Sequence, residues 1–127
     1  MSDSTTHTTP VVSLGSMKWG RILLAAVGAE VVLVGIAIPF YMLGRGEALL
    51  YAIPPACLAL TMLFGFWAAR AARSRHVLHG ALVGTIAALA YVGMTWGKAL
   101  PTAYVVSHFL KVIGGAVGGF MAQRRQR

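Results

Sequence analysis

The sequence is poor in charged residues, and poorest in acids. Only 11% of its 127 residues are charged, and the three acidic residues are Asp3, Glu30 and Glu47. A soluble domain carries about 25% charged residues. Hydrophobic residues make up 57% of the chain, more apolar surface than a soluble fold of this size can bury. The composition therefore predicts that lipid surrounds most of the protein, and the length predicts one domain.

Cysteines and catalytic motifs are equally scarce. Cys57 is the single cysteine, so the chain has neither an intramolecular disulfide nor a C-x-x-C pair. His76 and His79 are spaced to share a metal ion, but two histidines are too few ligands, and we predict no metal site. The chain has no nucleophile elbow, zinc-protease motif or kinase motif. The sequence therefore predicts neither an enzyme nor a bound cofactor.

What the chain does contain is four apolar runs. They cover residues 22–43, 48–69, 77–97 and 103–122. Each has about 20 residues, enough to cross a bilayer as a helix, and none alternates as barrel strands do. We predict an all-α fold, a four-transmembrane-helix bundle over residues 18–123. Residues 1–17 are expected to be a disordered polar tail and residues 124–127 a basic tail.

Lysine and arginine flank these runs unevenly. One side of the membrane would hold Lys18, Arg21, Arg70, Arg73, Arg75, Arg124, Arg125 and Arg127. The other side would hold only Arg45 and Lys98. The positive-inside rule then places both termini in the cytoplasm, in a multi-pass protein of a bacterial inner membrane. The basic residues form no stripe with interleaved aromatics, so we expect anionic lipid head groups as partners and no nucleic acid.

Large aromatic side chains lie near the ends of the runs, as in the aromatic belts of membrane proteins. Trp19 and Trp67 are expected at the cytoplasmic interface. The outer belt would consist of Tyr41, Tyr51, Trp96 and Tyr104.

Two ionisable residues lie inside the predicted spans, at similar depth. Counted at 1.5 Å per residue, Glu30 is about 14 Å and Lys111 about 16–18 Å from the cytoplasmic face. Because an unpaired charge in the bilayer is costly, we predict that the two form an ion pair across the interface of the first and fourth spans. Two roles stay open. The pair is either structural glue, or a proton- or substrate-linked carboxylate for which the lysine competes.

Lys111 belongs to a polar face of the fourth span. Ser107 and His108 lie one helical turn before it and share its face. Gly114 and Gly118 continue that face toward the cytoplasm. This arrangement fits either a polar pathway or a set of interhelical hydrogen bonds.

The fourth span also carries two overlapping small-residue motifs. Gly114-x-x-x-Gly118 and Gly115-x-x-x-Gly119 allow another helix to approach closely, within the chain or from a second one. We expect a homo-oligomer, or a membrane-protein partner, and we expect changes of Gly115 and Gly119 to leucine to weaken the association.

The last third of the chain carries the first of two family resemblances. The stretches His79-Gly80-Ala81-Leu82-Val83-Gly84 and 110–119 resemble a family of small uncharacterised four-span bacterial membrane proteins. That resemblance implies a fold and a membrane location but no activity.

The first span carries the second resemblance. Ala29-Glu30-Val31, with Ala90-Tyr91 and Trp96, is similar to the small multidrug resistance transporters, which are short four-span proteins with one membrane glutamate in the first span. The resemblance implies that Glu30 is a proton- and drug-binding carboxylate. Lys111, the long polar tail and the charge bias depart from that family.

Two function hypotheses follow. The first is a non-enzymatic structural or accessory subunit that packs through its glycine-rich fourth helix. The alternative is a small proton-coupled transporter that uses Glu30.

Overall fold

Four long α-helices make up the protein. The computed structural model describes residues 17–127, so the predicted tail, except Met17, lies outside the described residues. The helices are α1, Trp19–Met42; α2, Leu49–Ala69; α3, His76–Met94; and α4, Thr102–Arg125. Each is long and apolar enough to cross a membrane, and no strand occurs in residues 17–127. The predicted all-α bundle of four spans is therefore confirmed.

The helix ends differ from the predicted spans by at most three residues. α3 ends at Met94, three residues before the predicted end, because the chain turns there and Gly97 adopts a positive φ of 79°. Pro101 caps the start of α4. α4 continues through Arg124 and Arg125, which were expected in the basic tail. Cations in the last turn of a helix interact favourably with its dipole.

The helices pack around α4. It lies against α2 and α3 along most of its length, and α1 covers the other side of α2 and α3. The backbones of α1 and α4 do not approach each other within the described residues. The bundle therefore has a diamond-shaped cross-section with α1 and α4 at its far corners.

Both described chain ends lie at the same end of the bundle. Arg21 donates a hydrogen bond to the carbonyl of Trp67 at 3.2 Å, and the Gln126 side chain donates one to the carbonyl of Arg70 at 2.8 Å. We call this the basic end, because it carries the first set of eight Lys and Arg residues named above. The opposite end carries Arg45 and Lys98.

Glycines bring the backbones of α2, α3 and α4 into contact. A Cβ added to Gly118 would lie 2.7 Å from Phe66 N of α2, and one added to Gly119 would lie 2.8 Å from Val77 Cα of α3. The two overlapping motifs therefore face two helices of the same chain: Gly114 and Gly118 face α2, while Gly115 and Gly119 face α3. Of the two alternatives left open by the sequence, Gly115 and Gly119 adopt packing within the chain, and the homo-oligomer stays a prediction.

The apolar core falls into two clusters. The cluster nearer the basic end consists of Ile22, Ala25, Ala26, Ala68, Val83 and Ala87. The second cluster, nearer the opposite end, consists of Leu33, Leu49, Ile53 and Cys57. Small side chains dominate the first cluster, so the helices are closely packed there. Larger side chains and an open space occupy the other half of the bundle.

Candidate functional site

An ion pair lies at the centre of the bundle. Lys111 Nζ of α4 contacts Glu30 Oε1 of α1. Lys111 is only 1% exposed and is the largest fully buried residue among those described, while the Glu30 side chain is 18% exposed. The structure therefore brings together the two charges that the sequence placed at matching depth.

The sequence predicted that the pair lies at an interface between the first and fourth helices. The structure differs, because these two helices are not neighbours. α1 and α4 are at opposite corners of the diamond, with α2 and α3 between them. The length of the lysine side chain makes the contact, because four methylene groups carry Nζ well away from its own helix. The matching depth of the two residues could be predicted from the apolar runs, but the lateral order of the helices could not.

A tyrosine ring, itself packed against two further rings, also contacts the lysine ammonium. Lys111 Nζ lies 5.2 Å from the centroid of the Tyr91 ring, within the range of a cation–π interaction. The Tyr91 ring stacks on Tyr104 at 6.1 Å between centroids and lies 5.0 Å from the His108 ring. The buried cation is thus held by a carboxylate and by one face of a ring cluster.

An apolar cavity of about 220 Å³ opens beside the carboxylate. The residues that line it are Glu30, Leu33, Val34, Ala37, Ile38, Tyr41, Leu49, Ile53, Tyr91 and Tyr104. Glu30 is the only charged residue in this lining. We call this space the tyrosine cavity. It lies on the side of the ion pair that faces the opposite end of the bundle.

A smaller cavity of about 30 Å³ lies behind the ion pair. Lys111, Ser107, His108 and Cys57 contribute to its lining, and it is large enough for a water molecule. Neither ring nitrogen of His108 has a hydrogen-bond partner among residues 17–127. The ammonium of Lys111 therefore borders a small space with unused donor and acceptor positions.

The polar face of α4 ends at Lys111. Ser107 Oγ donates to the Ala103 carbonyl of its own helix at 2.7 Å, and His108 forms none of the expected interhelical hydrogen bonds within residues 17–127. Gly114 and Gly118 pack against the α2 backbone, so these two positions do not continue the polar face toward the basic end. The larger cavity beside the site lies toward the opposite end of the bundle.

Prolines interrupt the two helices that flank the tyrosine cavity. Pro39 lies inside α1, and Pro54 and Pro55 lie inside α2. A proline has no N–H, so the carbonyl four residues earlier in its helix loses its intrahelical donor. The described helices contain no proline in their basic halves. The helices are consequently easiest to bend where they line the cavity.

The two histidines at the start of α3 have structural partners at the basic end. His76 Nε2 lies 2.6 Å from Gln126 Oε1, and His79 Nδ1 donates to the Arg75 carbonyl at 3.0 Å. In residues 17–127, no three His, Cys, Asp or Glu side chains converge as a metal site would require. These histidines hold α3, the preceding turn and the end of α4 together.

Sequence reasoning missed the role of the tyrosines. Tyr41 and Tyr104 were expected in the outer aromatic belt, but both line the tyrosine cavity with Tyr91. One signal was present: Tyr104, His108 and Lys111 follow the i, i+4, i+7 spacing of a single helix face. Nothing in the sequence indicated that Tyr91, on another helix, would join that face.

The site is thus a buried lysine, a partly accessible carboxylate and three tyrosines around an apolar cavity. The four apolar helices that hold it are consistent with a small multi-pass integral membrane protein. Comparison with models of protein families, with curated proteins and with solved structures returned no match.

Proposed function

We propose that this protein is a small proton-coupled transporter that binds an amphipathic amine at Glu30. One observation carries the proposal: Glu30 is paired with a fully buried lysine and also lines an open, tyrosine-rich cavity. A purely structural pair needs no such space beside it. Buried or partly buried ionisable residues in spans commonly mark substrate or proton pathways.

The lining of the cavity favours a cationic ligand. Glu30 faces the larger cavity, whereas Lys111 borders only the smaller one behind it. An entering molecule therefore meets the carboxylate before the ammonium. Tyrosine ring faces attract organic cations as well, and three tyrosines line this space. Its volume of about 220 Å³ is below the 300–1,000 Å³ of drug-sized pockets, so the ligand is a small amine with an apolar body.

Ligand movement is coupled to proton movement because the ligand and the proton compete for the carboxylate of Glu30. Lys111 and the incoming ammonium both require the negative charge of Glu30. When a proton binds a Glu30 oxygen, the charge is lost and the attraction for the ligand falls. The amine leaves as the proton enters, and the lysine pairs with the carboxylate again when the proton is released. The proline-interrupted segments of α1 and α2 are where the cavity opens and closes.

Transport can be tested in proteoliposomes loaded with a pH-sensitive dye. The probe is benzyltrimethylammonium, which has no proton to lose and does not dissipate a pH gradient by itself. We expect the protein to change the internal pH when the probe is added. The double variant Glu30→Gln/Lys111→Met, which leaves no charge unpaired, should fold and give no signal. Glu47→Gln, a change of the exposed acid in the α1–α2 link, is the matched control and should behave like the unmodified protein.

Two results would contradict transport: unmodified protein that behaves like empty liposomes with this probe, or full activity in the double variant.

A structural or accessory subunit is the second candidate. The observation that favours it is that Glu30 and Lys111 neutralise each other without any ligand. Under this hypothesis the neutral double variant would copurify with the same membrane proteins as the unmodified chain. The glycine-rich face of α4 is not the surface for such a partner, because it is buried within the bundle.

A further inference from the structure

We propose that the groove between α1 and α2 at the basic end binds one anionic phospholipid. Its phosphate would lie against Arg21 and Arg70, and one of its acyl chains would lie between Leu24 and Leu63. The arginine end of this site lies about 14 Å along α1 from Glu30, at 1.5 Å per residue. The proposal is independent of any transport activity.

The head-group part of the site is a polar hollow of about 330 Å³. It is lined by Arg21, Trp67, Arg70 and Ala71. Two arginines and Trp67 line it together at the basic end of the bundle. Arginine binds phosphate with several donors at once, and tryptophan is enriched at membrane–water interfaces.

Arg21 is already held in position for an anion. Its Nη2 donates to the Trp67 carbonyl at 3.2 Å, and its Cζ lies 4.2 Å from the centroid of the Trp67 ring. Its Nε is buried and has no hydrogen-bond partner in the described part of the chain. A fixed guanidinium with an unused buried donor loses little freedom when it binds an anion.

No acid within residues 17–127 neutralises these arginines. The one ion pair in that part of the chain joins Glu30 and Lys111. Arg70 lies with its Cζ 5.6 Å from the centroid of the Phe66 ring, which directs its stem along α2 and leaves its charge at the surface. The hollow therefore has a net positive charge, complementary to a phosphodiester.

An apolar groove continues from the hollow into the membrane. It has a volume of about 510 Å³ and is lined by Leu24, Gly28, Leu63, Phe64 and Trp67. Trp67 belongs to both spaces. From Arg21 to Gly28 the groove runs about 10 Å along α1, at 1.5 Å per residue, and so extends through much of one leaflet. The positive hollow therefore matches the phosphate of a phospholipid, and the apolar groove that continues from it matches an acyl chain.

The absence of a side chain at Gly28 shapes this groove. A Cβ there would lie 2.8 Å from Phe64 Cε1. With glycine at this position, the Phe64 ring approaches α1 closely and contributes to the lining of the groove. A larger side chain at position 28 would occupy part of the groove and displace the Phe64 ring.

Native mass spectrometry of the purified protein can test the site. The protein is titrated with phosphatidylglycerol or with phosphatidylcholine of the same acyl chains. We expect one phosphatidylglycerol to be retained at concentrations where phosphatidylcholine is not. Arg21→Gln and Arg70→Gln should each weaken retention by about tenfold, the size expected for a charged hydrogen bond. Arg73→Gln, an exposed arginine in the same basic connector, is the matched control and should have no effect.

The groove is tested by a separate variant. Leu63→Trp fills it without touching the arginines and should weaken retention to a similar extent. Leu89→Trp, at another exposed position on α3, is its control. If Arg21→Gln fails to fold by circular dichroism, Arg70→Gln and Leu63→Trp still decide the question.

Three outcomes would overturn the proposal. Equal retention of phosphatidylcholine and phosphatidylglycerol would show that the negative charge of the lipid head group does not determine binding. Unchanged retention in both Arg70→Gln and Leu63→Trp would place the lipid elsewhere. Displacement of the lipid by equimolar glycerophosphoglycerol, which has no acyl chains, would mean that the hollow binds a free phosphodiester and that the groove contributes nothing.

Discussion

Lys111 and Glu30 form an ion pair although the backbones of their helices do not approach each other. The lysine crosses the bundle between α2 and α3 to reach the carboxylate. All four helices therefore depend on one contact: two supply the charges, and the other two enclose the lysine stem. This geometry makes the two partners unequal, because the lysine is fully buried and the glutamate borders a cavity.

The first prediction follows from that inequality. Glu30→Gln leaves a fully buried ammonium and should lower the free energy of unfolding by about 3–5 kcal/mol, the cost of breaking a buried pair. Lys111→Met leaves a carboxylate beside an open cavity and should cost less. The double variant should recover much of the loss. Denaturant unfolding in detergent micelles, followed by circular dichroism, measures all three. Simple additivity of the single changes would show that the charges are not coupled.

The second prediction concerns the glycines inside the bundle. A Cβ on Gly80 would lie 2.9 Å from Gly119 Cα, and both are backbone positions that cannot move aside. Gly80→Ala should therefore destabilise the single chain by about 1–3 kcal/mol through overpacking. Gly93→Ala, on the same helix but with no atom within 4 Å of the added Cβ, should be neutral or stabilising by up to about 1 kcal/mol. Thermal unfolding in detergent compares them, and equal effects would contradict the packing described for α3 and α4.

The third prediction concerns the tyrosine cavity. Tyr91→Leu removes the ring that contacts the lysine ammonium and lines the cavity. We expect it to weaken benzyltrimethylammonium binding by roughly fivefold, which corresponds to about 1 kcal/mol for a cation–π contact. Tyr51→Leu, at a position that is 83% exposed, should bind the probe as the unmodified protein does. Isothermal titration measures both, and equal affinities would exclude the tyrosine cavity as the binding site.

The fourth prediction concerns orientation in the membrane. The bundle places both described chain ends at the basic end, and the positive-inside rule assigns that end to the cytoplasm. In a Cys57→Ala background, a membrane-impermeant maleimide added to intact cells with a permeabilised outer membrane should label Lys98→Cys and not Ser74→Cys. The reverse pattern would show the opposite orientation. Equal labelling of both would indicate dual topology.

The sequence predicted the parts of this structure that depend on single helices. Span length, the position of both described chain ends at one end of the bundle and the matching depth of Glu30 and Lys111 follow from apolar runs, basic flanks and a rise of 1.5 Å per residue. Each of these is a property of distance along one helix. They could be read without knowing which helices are neighbours.

Lateral packing could not be predicted in the same way. Gly114 and Gly115 are adjacent in sequence yet face different helices, and no composition rule distinguishes an internal glycine face from an external one. The tyrosine cavity depends on Tyr41, Tyr91 and Tyr104 from three helices. Because the rotation of each helix about its axis is set by packing against the others, the cavity appears only when all four are assembled.

The glycine contacts and the ion pair also impose an order of events during synthesis. Glu30 and Lys111 are separated by 81 residues, so at 5–20 residues per second the ribosome needs about 4–16 s to make the lysine after the glutamate. α1 leaves the ribosome first, and Lys111 is not yet made during that time. α2, α3 and α4 can close on one another through their glycines, while α1 gains its charge contact only when the last helix is complete. Glu30 therefore gains its charged partner only after the other three helices have been made.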